Sequence, residues 1–177
     1  MKILLTAINS KFIHSNLAVR YLKAFTEDMD YISKIREFSI NDRDEKVLEE
    51  IIKEKPDIVA FSTYIWNIEM VKRLSNLIKI VNSDIKILYG GPEVSYDSSN
   101  ILNELNGDYL IEGEGEKTYR EFVEYTLGER DIKSIRGLYY KEGNKVIGNG
   151  NRPLMNMNEI VFPYKMDENL DNKIVYY

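Results

Sequence analysis

The residues best suited to chemistry in this 177-residue chain are small, hydroxyl-bearing or glycine residues that directly follow apolar runs. Ser62 and Thr63 end the run "DIVAFST", and Gly90 and Gly91 follow the run "DIKILY". A glycine lets another molecule approach the backbone closely, although two adjacent glycines cost conformational entropy. These residues predict a surface on which a large, partly apolar ligand lies against main-chain atoms.

Similar residues follow the other apolar runs. The candidate ligand-binding residues are Asn9, Ser10, Lys11, Phe12, Ile13, His14, Ser62, Thr63, Tyr64, Gly90, Gly91, Pro92, Glu93, Glu112, Gly113 and Glu114. Each group has an ordinary alternative, since a glycine pair can serve only to turn the chain. Trp66, the only tryptophan, can likewise simply cover the core. Their repetition after successive runs favours a binding site.

The elements that position these residues are short apolar runs that alternate with helical patterns. The five predicted strands lie at Lys2 to Ile8, Tyr31 to Ile40, Asp57 to Thr63, Asp84 to Tyr89 and within Asp108 to Glu116. Parallel strands need helical crossovers, so the alternation predicts a doubly wound, flavodoxin-like (Rossmann-like) α/β fold with a five-stranded parallel sheet. The second strand is the most polar and belongs at an edge. Ligands bind outside the carboxyl ends of such strands, which is where the candidates fall.

The remainder of the chain has a different pattern. Residues Ile135 to Gly150 predict a β-hairpin that turns at Glu142 to Asn144. Residues Asn151 to Lys173 have the composition of a linker, and Lys173 to Tyr177 ("KIVYY") is strand-like. We therefore expect a binding domain over 1–130, a hairpin extension over 131–150, and a linker with the start of a further domain over 151–177.

Composition excludes several classes of protein. The chain is 44% hydrophobic and 30% charged, which suits a globular domain. Its net charge of −5 lacks the basic footprint of a nucleic-acid-binding protein. It has no cysteine, so it cannot itself form disulfides or cysteine-ligated metal centres. No run approaches the roughly 18 apolar residues of a membrane span, and no signal peptide is evident, so we expect a cytoplasmic protein.

Two known uses of this fold do not match the residues. A phosphoryl-accepting receiver domain needs an aspartate where Ser62 ends the third strand. A dinucleotide site needs G-x-G-x-x-G after the first strand, and "NSKFIHSN" contains no glycine. A flavin mononucleotide site stays open through the hydroxyls of Ser10 and Ser15, and so does a domain without any cofactor.

Four segments carry a resemblance to a known family. These segments are "INSKFIHSNLAVRYL", "DIVAFSTYIWN", "ILYGGPEVSYD" and "DYLIEGEGE". In their order and spacing, the chain resembles the N-terminal cobalamin-binding domain of cobalamin-dependent radical S-adenosylmethionine (SAM) enzymes. The resemblance covers residues 1–130, and "FPY" (Phe162 to Tyr164) resembles the region before the radical domain. In that family a Cys-x3-Cys-x2-Cys motif holding a [4Fe–4S] cluster follows the first strand of the barrel, which "KIVYY" resembles. The resemblance implies a chain that is truncated before this motif.

The resemblance also implies positions around the cofactor. Ser62 and Thr63 would line the pocket for the nucleotide tail, and Gly90 to Pro92 would face the tail or the corrin edge. Glu112 to Glu114 would border the dimethylbenzimidazole, and the loop from Asn9 to His14 would lie under the corrin ring.

The first loop departs from the cobalt-ligating motif D-x-H-x-x-G of methionine-synthase-type domains. Asn9, Lys11 and His14 occupy the Asp, His and Gly positions of that motif. A lysine is protonated near pH 7 and is a poor cobalt ligand. His14 could reach the cobalt, but an ordinary loop histidine is the simpler interpretation, so no metal ligand is assigned. The radical SAM family commonly lacks the ligating histidine.

The expected function is a cobalamin-binding module of a radical SAM enzyme, which would carry out methyl transfer or ring formation. Its partners would be cobalamin and its own missing radical SAM domain, where SAM and the [4Fe–4S] cluster would bind. Nucleic acid and membrane are not expected as partners. We expect no catalysis by this part alone. The alternative is a stand-alone binding or sensory domain for cobalamin or a flavin.

Overall fold

A seven-stranded sheet in the order β2-β1-β3-β4-β5-β6-β7 organises the computed structural model, which describes residues 1–11, 14–164 and 174–175. The strands are β1 (Lys2–Asn9), β2 (Ile32–Ser39), β3 (Ile58–Ser62), β4 (Lys86–Gly90), β5 (Tyr109–Ile111), β6 (Leu138–Glu142) and β7 (Lys145–Gly148). Strands β1 to β5 are parallel, whereas β6 and β7 are antiparallel. The doubly wound parallel sheet is thus confirmed. Its most polar strand, β2, lies at the edge as predicted.

Helices cover both faces of this sheet. They are α1 (Leu17–Phe25), α2 (Asp44–Lys53), α3 (Ile68–Val81), α4 (Ser98–Glu104) and α5 (Glu116–Thr126). Buried residues of α1 and α5 share one core with one sheet face, and those of α2, α3 and α4 share a second core with the other. Helix α4 buries only Ser98 and Leu102 of its seven residues, so the sequence pattern between β4 and β5 gives little indication of where a helix lies.

Local signals explain most element boundaries. Every residue of β1 after Lys2 is buried, as expected for a strand covered on both faces. Asn16 caps α1 by accepting a hydrogen bond from the Val19 N–H at 3.2 Å. Gly128 follows α5 with a φ of +83°, the left-handed conformation that ends many helices.

The predicted hairpin extends the sheet rather than standing apart from it. Strand β6 pairs with β5 through Ile111–Leu138 and Tyr109–Tyr140, and β7 forms the outer edge. Parallel and antiparallel strands therefore share one continuous sheet.

The predicted linker packs back against the helices α1 and α5. Arg152 Nε donates a hydrogen bond to Thr118 Oγ1 at 2.8 Å, and the hydroxyls of Tyr164 and Ser15 lie 3.3 Å apart. Further along, the carbonyl of Ile174 accepts a hydrogen bond from the Ser15 N–H at 3.2 Å. Apart from Ile174 and Val175, the strand predicted at Lys173 to Tyr177 lies outside the described residues.

None of the helices in the described part of the chain is long and apolar enough to cross a membrane.

Candidate cofactor-binding site

Small residues at the carboxyl ends of β3 and β4 leave a gap beneath two helices. Side chains alternate between the faces of a strand. Ala60 and Leu88 therefore belong to the core under α1 and α5, while Phe61 and Tyr89 belong to the opposite core. Continuing this alternation places Ser62 and Gly90 on the α1 and α5 side, where they fill little space.

The gap is a cavity of about 430 Å³ between this sheet face, α1 and the start of α5. This volume is within the range of small-molecule sites. The lining residues are Leu5, Ala18, Val19, Leu22, Ala60, Phe61, Ser62, Tyr64, Leu88, Tyr89, Gly90, Gly91, Pro92, Ser95, Ile111, Gly113, Glu114, Gly115 and Glu116. Most of these residues are apolar, and hydroxyl and carboxylate groups are few. The cavity suits a ligand with an apolar body and a small number of polar atoms.

Ser62 supplies a polar group without a protein partner. The residue is 7% exposed, and its Oγ has no hydrogen-bond partner among the described residues. A buried hydroxyl without a hydrogen bond lowers the free energy of unfolding, because its interaction with water is lost and not replaced. Ser62 lies opposite Gly90 in the pairing of β3 with β4. The cavity therefore places an unsatisfied hydroxyl next to bare backbone, which a ligand with a polar atom would complete.

The two adjacent glycines lack a side chain for different reasons. Among the described residues, a Cβ on Gly90 would meet only Ile111 Cβ, at 3.9 Å, so a side chain there would extend into free space in the cavity. Gly91 has φ +117° and ψ 172°, and a Cβ there would lie 2.9 Å from Thr63 N and closer still to Thr63 O. Gly90 keeps the cavity open, whereas Gly91 lets the turn pack against the Thr63 backbone.

Thr63 does not line the cavity, although the sequence resemblance assigns it there together with Ser62. It is fully buried, and both its N–H and its Oγ1–H donate to the Gly90 carbonyl at 2.7 Å. Side chains of adjacent strand residues point to opposite faces, so the side chains of Ser62 and Thr63 cannot both face the cavity. Thr63 instead fastens the end of β3 to the glycine turn.

Asn67 holds the turn between β3 and α3. Its Nδ2 donates to the carbonyls of Ile8 at 2.9 Å and Ser62 at 3.0 Å, and its Oδ1 accepts from the Tyr64 N–H at 2.8 Å. The side chain is fully buried. Asn67 is the N-cap residue of α3, but its side chain caps no helical N–H and instead joins the ends of β1 and β3.

An aromatic rim lies beside the cavity. The rings of Tyr64 and Trp66 stack with centroids 4.5 Å apart and planes 7° apart. Burial raises the pKa of Tyr64, so its hydroxyl stays neutral. Trp66 is 46% exposed, Ile65 is 77% exposed, and Trp66 Nε1 donates to the Ile8 carbonyl at 3.3 Å. The edge of the sheet thus presents apolar surface to a ligand larger than the cavity.

The predicted residues after β4 and β5 divide between lining and non-lining positions. Pro92, Gly113 and Glu114 line the cavity, and Glu93 and Glu112 do not. A hydrogen bond with Glu112 raises the pKa of Tyr139, in β6, to about 12. The Glu114 carboxylate accepts a hydrogen bond from the Met155 N–H at 2.6 Å.

The described residues of the loop after β1 lie at the same edge of the sheet but do not line the cavity. Asn9 Nδ2 donates to the His14 carbonyl at 2.8 Å, so this amide organises the loop itself. Ser10 and His14 are half-buried and Lys11 is exposed, whereas Phe12 and Ile13 lie outside the described residues.

Sequence reasoning missed the contributions of the helices to the site. Ala18, Val19 and Leu22 of α1 form one wall, and Gly115 and Glu116 form another at the start of α5. The alternation of Ala60 with Ser62 and of Leu88 with Gly90 places these residues on one face of the sheet, but it does not show that this face has the gap. No signal in the sequence marks Ser95.

A parallel α/β sheet with a ligand-sized cavity at its carboxyl edge defines a Rossmann-like binding domain. Within that class, the B12 binding domain family matches residues 3–123, which is more than half of the chain, and the chain belongs to this family. It is a cobalamin-binding domain similar to the cobalamin module of radical SAM methyltransferases.

Relatives with curated sequences are much longer than this chain. It is 33% identical over 115 residues to an uncharacterized methyltransferase of Pyrococcus horikoshii, covering 64% of this chain and 25% of the relative. It is 27% identical over 95 residues to the cobalamin-dependent radical SAM methyltransferase TokK of Streptomyces tokunonensis, and the match covers 52% of this chain and 14% of TokK.

Solved structures share the fold. The cobalamin-dependent SAM radical enzyme OxsB, with aqua-cobalamin and SAM bound, superposes with a TM-score of 0.72 at 18% identity, covering 92% of this chain and 24% of that one. The radical SAM methyltransferase TsrM from Kitasatospora setae superposes with a TM-score of 0.71 at 18% identity, and the match covers 84% of this chain and 30% of TsrM. The chain thus spans less than a third of the length of these relatives.

Proposed function

We propose that the cavity binds the nucleotide tail of cobalamin and that the corrin ring lies outside it, over the edge of the sheet. Pockets of about 300–1,000 Å³ hold drug-sized ligands, and cobalamin with its macrocycle and tail is larger than these. A cavity of about 430 Å³ has room for the tail alone. The observation that carries the proposal is the unpartnered, buried hydroxyl of Ser62 beside the bare backbone of Gly90.

Individual residues would act in different ways. Ser62 would hydrogen-bond a polar atom of the tail, and Gly90 would leave the space that the tail occupies. Gly113 and Glu114 would border its far end. The exposed apolar side chains of Ile65 and Trp66 offer contact for the ring.

The loop from Asn9 to His14 would lie beneath the corrin ring, with no protein nitrogen on the cobalt. The His14 N–H donates to the Lys11 carbonyl at 3.2 Å and its carbonyl accepts from Asn9 Nδ2, so these bonds hold the end of the loop in place.

We infer further that this chain is the cobalamin module of a longer radical SAM enzyme. Residues 1–130 would bind cobalamin, 131–150 would extend the sheet, and 151–177 would lead into the radical SAM domain. The great length of the relatives supports this, and so does the name of TokK. SAM and a [4Fe–4S] cluster would bind in the other domain, because cysteine is absent from this chain.

The division of work follows from these assignments. Cobalamin supplies group-transfer chemistry, such as methyl transfer, when it is bound. The chain's own residues bind and orient it and exclude water from its tail. We expect no turnover from this module by itself.

The flavin alternative is disfavoured by one contact. A flavin mononucleotide site after β1 would need free hydroxyls for the phosphate. Ser15 is 3% exposed, and its Oγ donates to the Ile174 carbonyl at 2.9 Å. This hydroxyl is already committed to the C-terminal part of the chain.

Equilibrium dialysis of the purified chain against hydroxocobalamin and flavin mononucleotide, in parallel, tests the proposal. We expect cobalamin to be retained at a lower ligand concentration than the flavin. Retention of the flavin with loss of cobalamin would reverse the assignment. Sequencing the gene beyond residue 177 tests the longer enzyme, and a Cys-x3-Cys-x2-Cys motif soon after that point is the expected result.

A further inference from the structure

The strands β4 and β5 separate at the cavity. They pair through only three residues of β5, and the last pair is Gly90 with Ile111. Beyond this pair, the turn after β4 and the turn after β5 each supply residues to the cavity wall. The width of the cavity on this side therefore depends on what joins the two turns.

Ser95 joins them with one hydroxyl. Its Oγ–H donates to the Gly91 carbonyl at 2.8 Å, and the same Oγ accepts from the Gly113 N–H at 3.2 Å. A serine hydroxyl has one donor and two acceptor positions, so one donor and one acceptor are used in this bridge. Ser95 itself lines the cavity.

Gly113 has little other support on its open side. Its φ is +76°, and no heavy atom of the residues that the structure describes lies within 4 Å of the position that a Cβ would occupy. Packing cannot hold the turn from that direction. The bond from Gly113 N–H to Ser95 is therefore well placed to set its distance from Gly91.

We propose that Ser95 is a positioning residue that fixes the turn after β4 and the turn after β5 at the separation that cobalamin requires. This inference rests on the proposed function, because it assumes that the cavity holds part of cobalamin. Ser95 would act on the site through its hydrogen bonds to the backbone of Gly91 and Gly113.

The test compares Ser95→Ala with Ser98→Ala. Ser98 is a matched control because its Oγ donates to the Val94 carbonyl at 3.0 Å, it is 3% exposed, and it does not line the cavity. Absorbance titration with hydroxocobalamin should give a dissociation constant about tenfold higher for Ser95→Ala than for the unsubstituted chain, because cobalamin must then restore the separation of the two turns itself, at a cost comparable to one or two ordinary hydrogen bonds. Ser98→Ala should bind like the unsubstituted chain.

A second measurement follows the bridge without any cofactor. Amide hydrogen exchange of Gly113, read by NMR, should become faster in Ser95→Ala and stay unchanged in Ser98→Ala. A general loss of stability would not be confined to this amide.

The outcomes separate the two proposals. If the unsubstituted chain binds cobalamin and Ser95→Ala binds it equally well, the role of Ser95 is refuted and the proposed function stands. If both serine variants weaken binding equally, Ser95 acts only through stability and the inference fails. If the unsubstituted chain binds no cobalamin, the proposed function fails and this inference fails with it.

Discussion

Separate substitutions of Gly90 and Gly91 should distinguish space for a ligand from the needs of the backbone. Gly90 has no positive φ, and a Cβ there would make an ordinary 3.9 Å contact with Ile111. Alanine at such a position should keep or raise the free energy of unfolding, by up to about 0.4–1 kcal/mol, because it restricts the unfolded chain. Gly90→Ala should therefore fold normally.

Gly91→Ala should do the opposite. The φ of +117° and ψ of 172° lie in a region that only glycine occupies readily, which costs other residues about 1–3 kcal/mol. The overlap with the Thr63 backbone adds overpacking of about 1–3 kcal/mol. Together these are a large part of the typical 5–15 kcal/mol that stabilises a domain. Urea unfolding followed by circular dichroism measures both variants.

Valine at position 90 extends the test to binding. Its branched side chain would enter the cavity of about 430 Å³, so cobalamin must displace it or lose contacts. An overpacking cost of about 1–3 kcal/mol corresponds to a dissociation constant roughly five- to 150-fold higher. Lys86→Val is the control, because it places valine at the exposed opposite end of β4. Unchanged cobalamin affinity in Gly90→Val would refute the tail pocket, and equal stability of the two alanine variants would refute the backbone argument for Gly91.

Two further predictions concern stability. Hydrogen bonds from Lys2 and Lys34, followed by Arg36, lower the pKa of Glu54 from 4.5 to about 2. The contribution of Glu54 to the free energy of unfolding is therefore complete above pH 4.5 and is lost as the pH falls toward 2. The difference in urea midpoint between the unsubstituted chain and Glu54→Gln should shrink over this window, and a constant difference would contradict the assignment. Asn67→Ala takes the amide away from the Ser62 carbonyl and the Tyr64 N–H, while the Ile8 carbonyl keeps the bond from Trp66 Nε1, so we expect a loss of about 3 kcal/mol in urea unfolding. A loss below about 1 kcal/mol would show that water replaces the amide.

Much of the fold follows from local patterns in the sequence. The runs of β1 and β3 are apolar on both faces, which requires helices on both sides of the sheet and hence a parallel arrangement. The polar run of β2 is compatible only with an edge. Helix α4 could not be predicted in this way, since its short length gives too few buried positions for a period to appear.

The sequence predicts a site at the edge of the sheet that holds the cavity, but it does not identify the individual lining residues. Ser62 and Thr63 are adjacent small residues, and their alternation shows that they face opposite sides. The sequence does not say which side has the gap, because that depends on how α1 and α5 cover the sheet. Thr63 was therefore grouped with Ser62 although it contacts the Gly90 carbonyl instead.

The sequence by itself determined the alternation of strands and helices, the small residues at the strand ends and the likeness to cobalamin-binding domains. These properties depend on neighbouring residues, whose spacing is fixed by the chain. Only the tertiary structure decided that Gly90 opens a cavity while Gly91 fits against Thr63, and that Ser95 bonds to Gly113, 18 residues away. Such contacts depend on where separate strands and turns meet in space, and a residue's type and its neighbours do not carry that information.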